Sequence, residues 1–525
     1  MRSSALQHTA QSPMPESPSP SPSVSSGEKP KTLSLPPVTT TTTFPSHNER
    51  SRIRLTAAFF ALLTLGWGDG VTGTLLPYFK RDFNLSFMTS SLLFVASAVG
   101  YALGTLCVEF VTSFLGRTCF SAAKTPAVLP LPSLCRRKLQ HPPASDASVL
   151  GFSIHRCRFL TLAIMSVCHS AFFMIMGSKS GFPSMLVAYA ISAFSRSFIL
   201  GDRSLTSLLY RNVYVCTISK RGLGYMYGSW AIGAFCAPLV CQSIIATGIR
   251  WANFYFGSLV LSAINTSLLV FAFCPTRIEL LRDADFAWAL LRSASPTPDA
   301  ATVATKETAQ ASPTQSIAPI LQKKISVGPR TYSAAVRKPK LWASAIFSMI
   351  YTGSESSTQG FIVIYLLSLR SANPNTVGYV TSGFWGGMAI SRFLWGYLGS
   401  IVTFRQRKWI IQGCISVAFC MHLLIWFVPS FIENAVSAAV VGLVYGPIYP
   451  ANISIARDLL PAEVHLVSLA IVAAFGSFGA AVFPFITGTL STAVGPRTLP
   501  IITVSQCVAM FGLWILFPSQ PPEQL

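Results

Sequence analysis

The stretch Leu55–Phe79, LTAAFFALLTLGWGDGVTGTLLPYF, is a 25-residue apolar run in which Asp69 is the one charged side chain. An α-helix rises about 1.5 Å per residue, so this run can cross a hydrocarbon layer of about 30 Å. A carboxylate near the middle costs at least about 2.5 kcal/mol and normally faces a bundle interior or a water-filled cavity. Asp69 is therefore a candidate for substrate or proton binding, with a hydrogen bond in a helix contact as the alternative.

The composition predicts a polytopic membrane protein. Of the 525 residues, 51% are hydrophobic and only 11% are charged, against about 25% charged in soluble domains. The net charge of +21 lies mostly in the N-terminal tail and in alternate loops, where it sets orientation, so it does not indicate nucleic-acid binding. The 12 Cys form no CxxC pair, and neither a metal site nor a cofactor is expected.

The hydrophobic runs predict an all-α protein of twelve transmembrane helices in two six-helix bundles. The predicted spans are approximately residues 55–79, 87–114, 159–177, 182–200, 223–247, 251–274, 341–369, 376–403, 409–429, 431–456, 464–492 and 498–517. The predicted organisation is a disordered cytoplasmic tail (1–50), an N-terminal bundle (51–274), a cytoplasmic linker (275–340), a C-terminal bundle (341–517) and a second cytoplasmic tail (518–525).

The positions of basic residues predict that both termini are cytoplasmic. Of the 39 Lys and Arg, few fall in the loops that would face the other side: Lys80, Arg81, Lys179, Arg250, Arg370 and Arg497.

Residues 118–150 interrupt the N-terminal bundle as a long inner loop. The segment holds several prolines and the run Cys135-Arg136-Arg137-Lys138, which fit no packed element. Two interpretations stay open: a regulatory insert, or translated sequence that does not belong to the mature protein.

The two halves repeat each other weakly. Asp69 lies 14 residues after Leu55 and Glu355 lies 14 residues after Leu341, so spans one and seven each carry an acid at equal depth. Spans five and eleven share a Gly-x4-Pro pattern, at 233–238 and 479–484. Such repetition is typical of a transporter built from parallel repeats.

Several segments resemble the major facilitator superfamily, among them GWGDGVTGTLLPYF, GSKSGFP, GFWGGMAISRFLWGYLG and VYGPIYPANISIA. Within it they resemble fungal facilitators of the bypass-of-stop-codon type, which are related to fucose-permease-like sugar–proton symporters. The resemblance covers about 55–116 and 151–517. It implies two pseudosymmetric bundles that rock around a central site, driven by an ion gradient.

One departure from the superfamily concerns its inner signature after span two, of the form Asp-Arg-x-Gly-Arg. Here the sequence is Ser113-Phe114-Leu115-Gly116-Arg117, without the acid and the first arginine. This departure favours an alternative to solute uptake, namely a nutrient receptor that has a transporter fold and does not transport. A second alternative function is a drug or metabolite exporter of the same fold.

Glu355 and Arg392 are the best candidates for proton coupling, because a carboxyl that exchanges an arginine partner can switch its proton. Their depths from the inner side, about 21 Å and about 16 Å, allow the long arginine side chain to reach the acid. Gln359 shares the helix face of Glu355 at i+4. A purely structural buried ion pair is the alternative.

Aromatic and inner charged residues supply further candidates. Trp385 and Trp395 share the helix face of Arg392, and Trp67 and Trp230 could join them in stacking on a sugar or flat ligand. Packing or an interfacial position is the alternative for each tryptophan. Glu109 and Arg196 are predicted as an inner gate pair, with snorkelling to the interface as the alternative.

The sequence thus predicts a monomeric, proton-coupled secondary transporter of a sugar or other polar small molecule. It is expected in the lipid bilayer of the plasma or vacuolar membrane, with a small-molecule substrate and protons as its partners. No nucleophile triad or phosphate-binding loop is present, so no enzyme activity is predicted.

Overall fold

The computed structural model describes residues 50–121, 148–200, 220–294, 329–461 and 464–520. The predicted N-terminal tail up to residue 49, the middle of the predicted insert and residues 295–328 of the predicted linker lie outside these ranges.

The described part of the chain is almost entirely helical. The N-terminal half contains α1 (Ser51–Gly70), α2 (Thr72–Asp82), α3 (Phe87–Gly116), β1 (Arg117–Ser121), β2 (Ser148–Phe152), α4 (Ile154–Ser178), α5 (Phe182–Leu200), α6 (Lys220–Ala246) and α7 (Trp251–Phe273). Two helices follow before the second bundle, α8 (Arg277–Ala294) and α9 (Pro329–Val336). The C-terminal half contains α10 (Pro339–Leu369), α11 (Tyr379–Leu398), α12 (Phe404–Phe427), α13 (Phe431–Tyr445), α14 (Ile448–Leu459), α15 (His465–Val494) and α16 (Thr498–Ile515).

Hydroxyl side chains fix where several apolar runs begin as helices. The Ser86 hydroxyl accepts a hydrogen bond from the Thr89 backbone N–H at the start of α3. Thr403 and Gln406 form a reciprocal capping box at the start of α12. These caps satisfy backbone donors that have no partner inside the helix, so they set the entry of the chain into each span.

Ten of the described helical segments are long and apolar enough to cross a membrane, counting α1 with α2 and α13 with α14 as single spans. Among the predicted spans, α10 and α11 fall below that hydropathy. These two helices carry Glu355 and Arg392. The fold confirms the predicted all-α architecture, and the least apolar spans are those with the candidate charges.

The two halves pack their helices in the same order. In the first half the opening span packs on α6 and α7, α3 packs on α5, and α4 packs on α5 and α7. In the second half α10 packs on α15 and α16, α11 on α13, and α12 on α13 and α16. Each contact therefore has its counterpart six spans later, as a parallel repeat requires.

Two glycines make this repeat explicit at the residue level. A Cβ at Gly233 would overlap the carbonyl oxygen of Leu63, and a Cβ at Gly479 would overlap that of Met349. Leu63 lies six residues before Asp69, and Met349 lies six residues before Glu355. The glycines of the Gly-x4-Pro pattern thus admit the same close helix crossing in both halves, next to the two acids.

The halves contact each other mainly through α6 with α11 and α3 with α15. Hydrogen bonds join them at the end remote from the chain termini, where Gln242 Nε2 donates to the Pro374 carbonyl at 3.0 Å and the Met88 N–H donates to Thr492 Oγ1 at 2.9 Å. Gly224 and Gly396 bring α6 and α11 into backbone contact at the opposite end. The α6–α11 contact therefore runs the full length of the two helices.

Residues 117–121 and 148–152, at the edges of the predicted insert, form an antiparallel strand pair. Phe120 is fully buried beside Gly151, and Gly151 also lies close to Ala287 of α8. The chain that enters and leaves the predicted insert is therefore part of a packed hairpin. Proline content alone did not indicate these strands, because the prolines lie between them.

The start of the predicted linker forms the amphipathic helix α8, which packs on the N-terminal half. Leu280, Asp283 and Ala287 are buried on one face of this helix. Glu279 accepts two hydrogen bonds from the buried Arg54, at 2.6 and 2.9 Å. Asp283 accepts hydrogen bonds from Ser153 Oγ at 2.5 Å and from the His155 backbone N–H at 3.2 Å. The two acids thereby attach α8 to the first turns of α1 and α4.

Replacing Arg54 by Ala should lower the free energy of unfolding by up to about 3 kcal/mol, because it leaves the largely buried Glu279 carboxylate without its charge partner. Arg52→Ala is the matched control, since Arg52 lies in the same turn of α1 and is exposed. Thermal unfolding of the detergent-purified variants measures both. Equal melting temperatures for the two variants would contradict a stabilising role for the pair.

The Glu279 pair also has a defined pH dependence. Burial raises the pKa of Glu279, but the hydrogen bonds from Arg54 and from the Thr276 backbone N–H lower it more, to about 2. A depressed carboxyl pKa stabilises the fold above the unfolded pKa of about 4.3, and the effect is lost as the pH falls toward 2. The difference in melting temperature between wild type and Glu279→Gln should therefore stay constant from about pH 7 to 5 and shrink at lower pH. A difference that already shrinks between pH 7 and 5 would contradict this assignment.

Candidate functional site

Glu355 on α10 and Arg392 on α11 face each other inside the C-terminal half. Arg392 Nη2 lies 3.9 Å from Glu355 Oε1, and the two side chains are 6% and 14% exposed, Arg392 being the lower. A charge-assisted hydrogen bond would be about 2.7–2.9 Å long, so this contact is electrostatic without a hydrogen bond. The structure therefore brings the two predicted coupling residues together, at a distance that leaves room for another group.

Rings from the N-terminal half cover the Arg392 guanidinium. Its Cζ lies 5.2 Å from the Trp230 ring centroid and 5.8 Å from that of Tyr227, both on α6. At these distances the rings attract the cation. The guanidinium thus lies at the junction of the two halves, although its carboxylate belongs to its own half.

The predicted tryptophans separate into two groups. Trp385 is buried and packs edge-on against Trp230 with ring centroids 5.0 Å apart, so it adjoins the ring that covers Arg392. Trp395 is also buried, in the hydrophobic core that contains Trp385. Trp67 donates its Nε1–H to Ser258 and stacks on Phe254 within the N-terminal half. Trp67 therefore does not join the group around Arg392.

Gln359 lies one turn after Glu355, where α10 crosses α2. Its backbone carbonyl is next to Gly73, and its side-chain Oε1 is buried with no hydrogen-bond partner among the described residues. A buried acceptor without a partner is costly. Gln359 thus remains a candidate contact for a polar ligand at the junction of the halves.

Asp69 and Arg196 form an ion pair between α1 and α5, in which Arg196 Nη1 donates to Asp69 Oδ2. Both side chains are partly exposed, at 25% and 20%. Each half therefore holds one intramembrane acid paired with one arginine. The sequence indicated that both residues need a partner, because Asp69 and Arg196 are each the lone charge of an apolar run, 55–79 and 182–200.

The predicted inner gate pair of Glu109 and Arg196 is not formed in this structure. Glu109 is exposed on α3 beside the exposed Leu106 and Phe110, whereas Arg196 is engaged by Asp69. The physical reason is helix phase: α3 turns Gly100 and Gly104 toward α5, and Glu109 lies on another face. Position along a helix does not determine which way a side chain points.

A polar network adjoins Glu355 in the C-terminal core. The Tyr445 hydroxyl is 2.8 Å from Ser354 Oγ and 3.1 Å from His422 Nε2, and the Tyr351 hydroxyl donates to the Tyr445 carbonyl at 2.9 Å. All four side chains are buried. This network holds α10, α12 and α13 together around the acid. Sequence reasoning missed it because its members come from three distant segments.

The described residues contain no group of three or more His, Cys, Asp or Glu placed to hold a metal ion. The chemistry of the region around Glu355 and Arg392 is therefore that of one ion pair, aromatic rings and unpartnered polar atoms.

Two six-span bundles with matched packing and a charged group at their junction define a membrane transporter fold. The family model described as Major Facilitator Superfamily matches residues 345–525. The matched residues lie in the C-terminal half of the chain, and the match confirms the resemblance predicted from the sequence.

A relative from Saccharomyces cerevisiae, Bypass of stop codon protein 6, is 20% identical over 486 residues, covering 89% of this chain and 83% of its own length. Two solved structures share the fold. A crystal structure of the E. coli fucose:proton symporter, FucP, is 12% identical with a TM-score of 0.51, covering 89% of this chain and 99% of its own. The nucleoside transporter NupG is 13% identical with a TM-score of 0.55, covering 89% and 98%.

Replacing Asp69 by Asn should reduce transport at least ten-fold while leaving the protein folded, because Asn keeps the shape but leaves the Arg196 guanidinium without its charge partner. The estimate of about ten-fold follows from the loss of a charge-assisted hydrogen bond, about 1.5–3 kcal/mol. Asp82→Asn, an acid at the end of the same span, is the matched control. Wild-type uptake by Asp69→Asn would assign Asp69 to helix packing alone.

Proposed function

We propose that the protein is a secondary active transporter that couples the movement of a polar small molecule to protons by alternating access. Glu355 is the proton-binding group, and Arg392 is the partner that responds to its charge. The observation that carries the proposal is the buried pair itself, held 3.9 Å apart at the junction of the halves. A carboxyl in this setting changes its proton occupancy when the distance to the arginine changes.

The solved relatives are named for fucose and for nucleosides, both polar solutes. They favour a polar substrate over the hydrophobic compounds that a drug exporter carries. We expect the protein to act as a monomer in the plasma or vacuolar membrane with both termini cytoplasmic, as the sequence predicts.

The experiment is solute-driven proton movement in proteoliposomes that contain a trapped pH-sensitive dye. Fucose, uridine and lactate are added singly to vesicles with and without protein. We expect one of them to acidify the lumen. Ligand-dependent thermal stabilisation without proton or solute flux would instead identify a receptor, and proton-driven efflux of ethidium would identify an exporter.

A further inference from the structure

The Arg392 guanidinium is incompletely paired. The residue is 5% exposed, and its Nε and Nη1 atoms have no hydrogen-bond partner among the described residues. Its third nitrogen, Nη2, lies 3.9 Å from Glu355 Oε1, beyond hydrogen-bond distance. A guanidinium stays charged in proteins and offers five N–H donors, so leaving it buried in this state is costly.

The neighbours of Arg392 restrict which ligand can accept hydrogen bonds from its unpartnered N–H groups. Trp230 and Tyr227 lie over the guanidinium and so restrict access to its faces. Trp385, packed against Trp230, has a buried Nε1–H donor that also lacks a partner among the described residues. A ligand must therefore approach the N–H edge of the guanidinium and accept hydrogen bonds. A carboxylate does this with two parallel N–H···O bonds.

The charges around Glu355 fix the sign and size of the ligand charge. Arg392 is the cation that faces it, and the other titratable groups nearby are three phenols, a thiol and an imidazole: Tyr351, Tyr445, Tyr449, Cys507 and His422. Helices α15 and α16, which pack on α10, carry no Asp, Glu, Lys or Arg. The remaining charges of the packed elements lie toward helix ends, namely Lys80, Arg81 and Asp82 of α2, Glu433 of α13, and Arg457 and Asp458 of α14. α9 carries one charged residue, Arg330, at its second position.

With Glu355 ionised, the pair is neutral and attracts no anion. With Glu355 protonated, one buried positive charge remains, which suits one negative charge on the ligand. A phosphate dianion would leave an unbalanced charge in the site, and a neutral sugar would leave the guanidinium uncompensated.

We propose that Arg392 binds the carboxylate of the transported solute while Glu355 holds the coupled proton, so that the substrate is a small monocarboxylate carried together with one proton. This inference rests on the proposed function and narrows its substrate class. The proton and the anion bind together. Protonation of Glu355 leaves the buried charge of Arg392 uncompensated, and the bound carboxylate compensates it.

The test uses the purified full-length protein and matched probes. Sodium lactate is compared with lactamide, and sodium gluconate with glucose, by ligand-dependent thermal stabilisation at about pH 5.5 and pH 8. We expect the carboxylates to bind at least ten-fold more tightly than their neutral counterparts at the lower pH, and the preference to weaken at the higher pH. Inorganic phosphate is the third probe.

Arg392→Gln should remove the preference for the carboxylate, and Arg405→Gln is the control, because Arg405 is an exposed arginine at the start of α12. The wild-type comparison of lactate with lactamide stands even if Arg392→Gln does not fold. Glucose binding that exceeds gluconate binding, or phosphate binding that exceeds both carboxylates, would overturn the carboxylate proposal.

These results separate the inference from the proposed function. Proton movement driven by fucose or uridine, with no response to lactate or gluconate, would refute the carboxylate substrate and leave proton-coupled transport in place. Absence of proton movement with every probe, in vesicles that contain correctly folded protein, would refute both.

Discussion

Glu355→Gln should abolish accumulation of substrate against a gradient and still permit downhill exchange. Glutamine resembles the protonated acid, so it allows the substrate-loaded carrier to reorient but has no proton to release. Exchange requires no net proton release and therefore survives. The measurement compares proton-driven uptake with counterflow in the same proteoliposomes, and full accumulation by this variant would refute the coupling role.

Removal of the Glu355 and Arg392 charges should affect the stability of the protein non-additively. Glu355→Gln leaves a buried guanidinium that cannot lose its charge, at a cost of about 3 kcal/mol. Arg392→Met leaves a carboxyl that can take up a proton, so its cost is smaller. The double variant removes both charges and should recover stability without recovering accumulation. Melting temperatures of the four proteins form a double-mutant cycle, and strictly additive shifts would contradict the pairing.

Gly233→Ala and Gly479→Ala should each destabilise the protein by about 1–3 kcal/mol, the usual cost of overpacking. In each case the new methyl group overlaps a carbonyl oxygen of the helix that it crosses, so α6 must move from α1, or α15 from α10. The expected sign opposes helix propensity, which favours alanine over glycine by about 1 kcal/mol.

Gly413→Ala is the control for both glycine variants. Gly413 lies in α12, and a Cβ there would meet nothing within 4 Å. This variant should be neutral or slightly stabilising in thermal unfolding. Equal behaviour of Gly413→Ala and Gly233→Ala would show that the close crossing does not limit stability. A large effect at Gly233 with none at Gly479 would show that the two equivalent helix crossings do not contribute equally to stability.

Much of the architecture could be predicted because hydrophobic length and repetition are local properties. The spacing of Asp69 and Glu355 from the start of their spans predicted equivalent positions, and the Gly233 and Gly479 contacts follow the same equivalence. The contact between Glu355 and Arg392 could be predicted for a different reason. Each is the lone charge in the middle of its span, and neither can remain unpaired cheaply in a membrane.

Other features depend on helix phase or on contacts between distant segments. Glu109 was assigned to Arg196 from depth alone, but its rotational position on α3 leaves it exposed. The burial of α8 on the N-terminal half depends on Arg54, which lies 225 residues before Glu279 and contacts it through folding alone. The rings over Arg392 come from the other half of the chain, so its spacing on α11 could not indicate them.

The two ion pairs have an electrical consequence. Asp69 and Arg196 belong to one bundle, and Glu355 and Arg392 belong to the other, so each bundle carries these intramembrane charges as a neutral set. A membrane voltage exerts about 2.3 kcal/mol per 100 mV on each elementary charge that crosses the bilayer. When the bundles rock, no net charge from these residues crosses. If the protein is the proton-coupled carrier that we propose, a membrane voltage has little effect on the reorientation of the empty carrier, and the concentration gradients of solute and protons set the direction of transport.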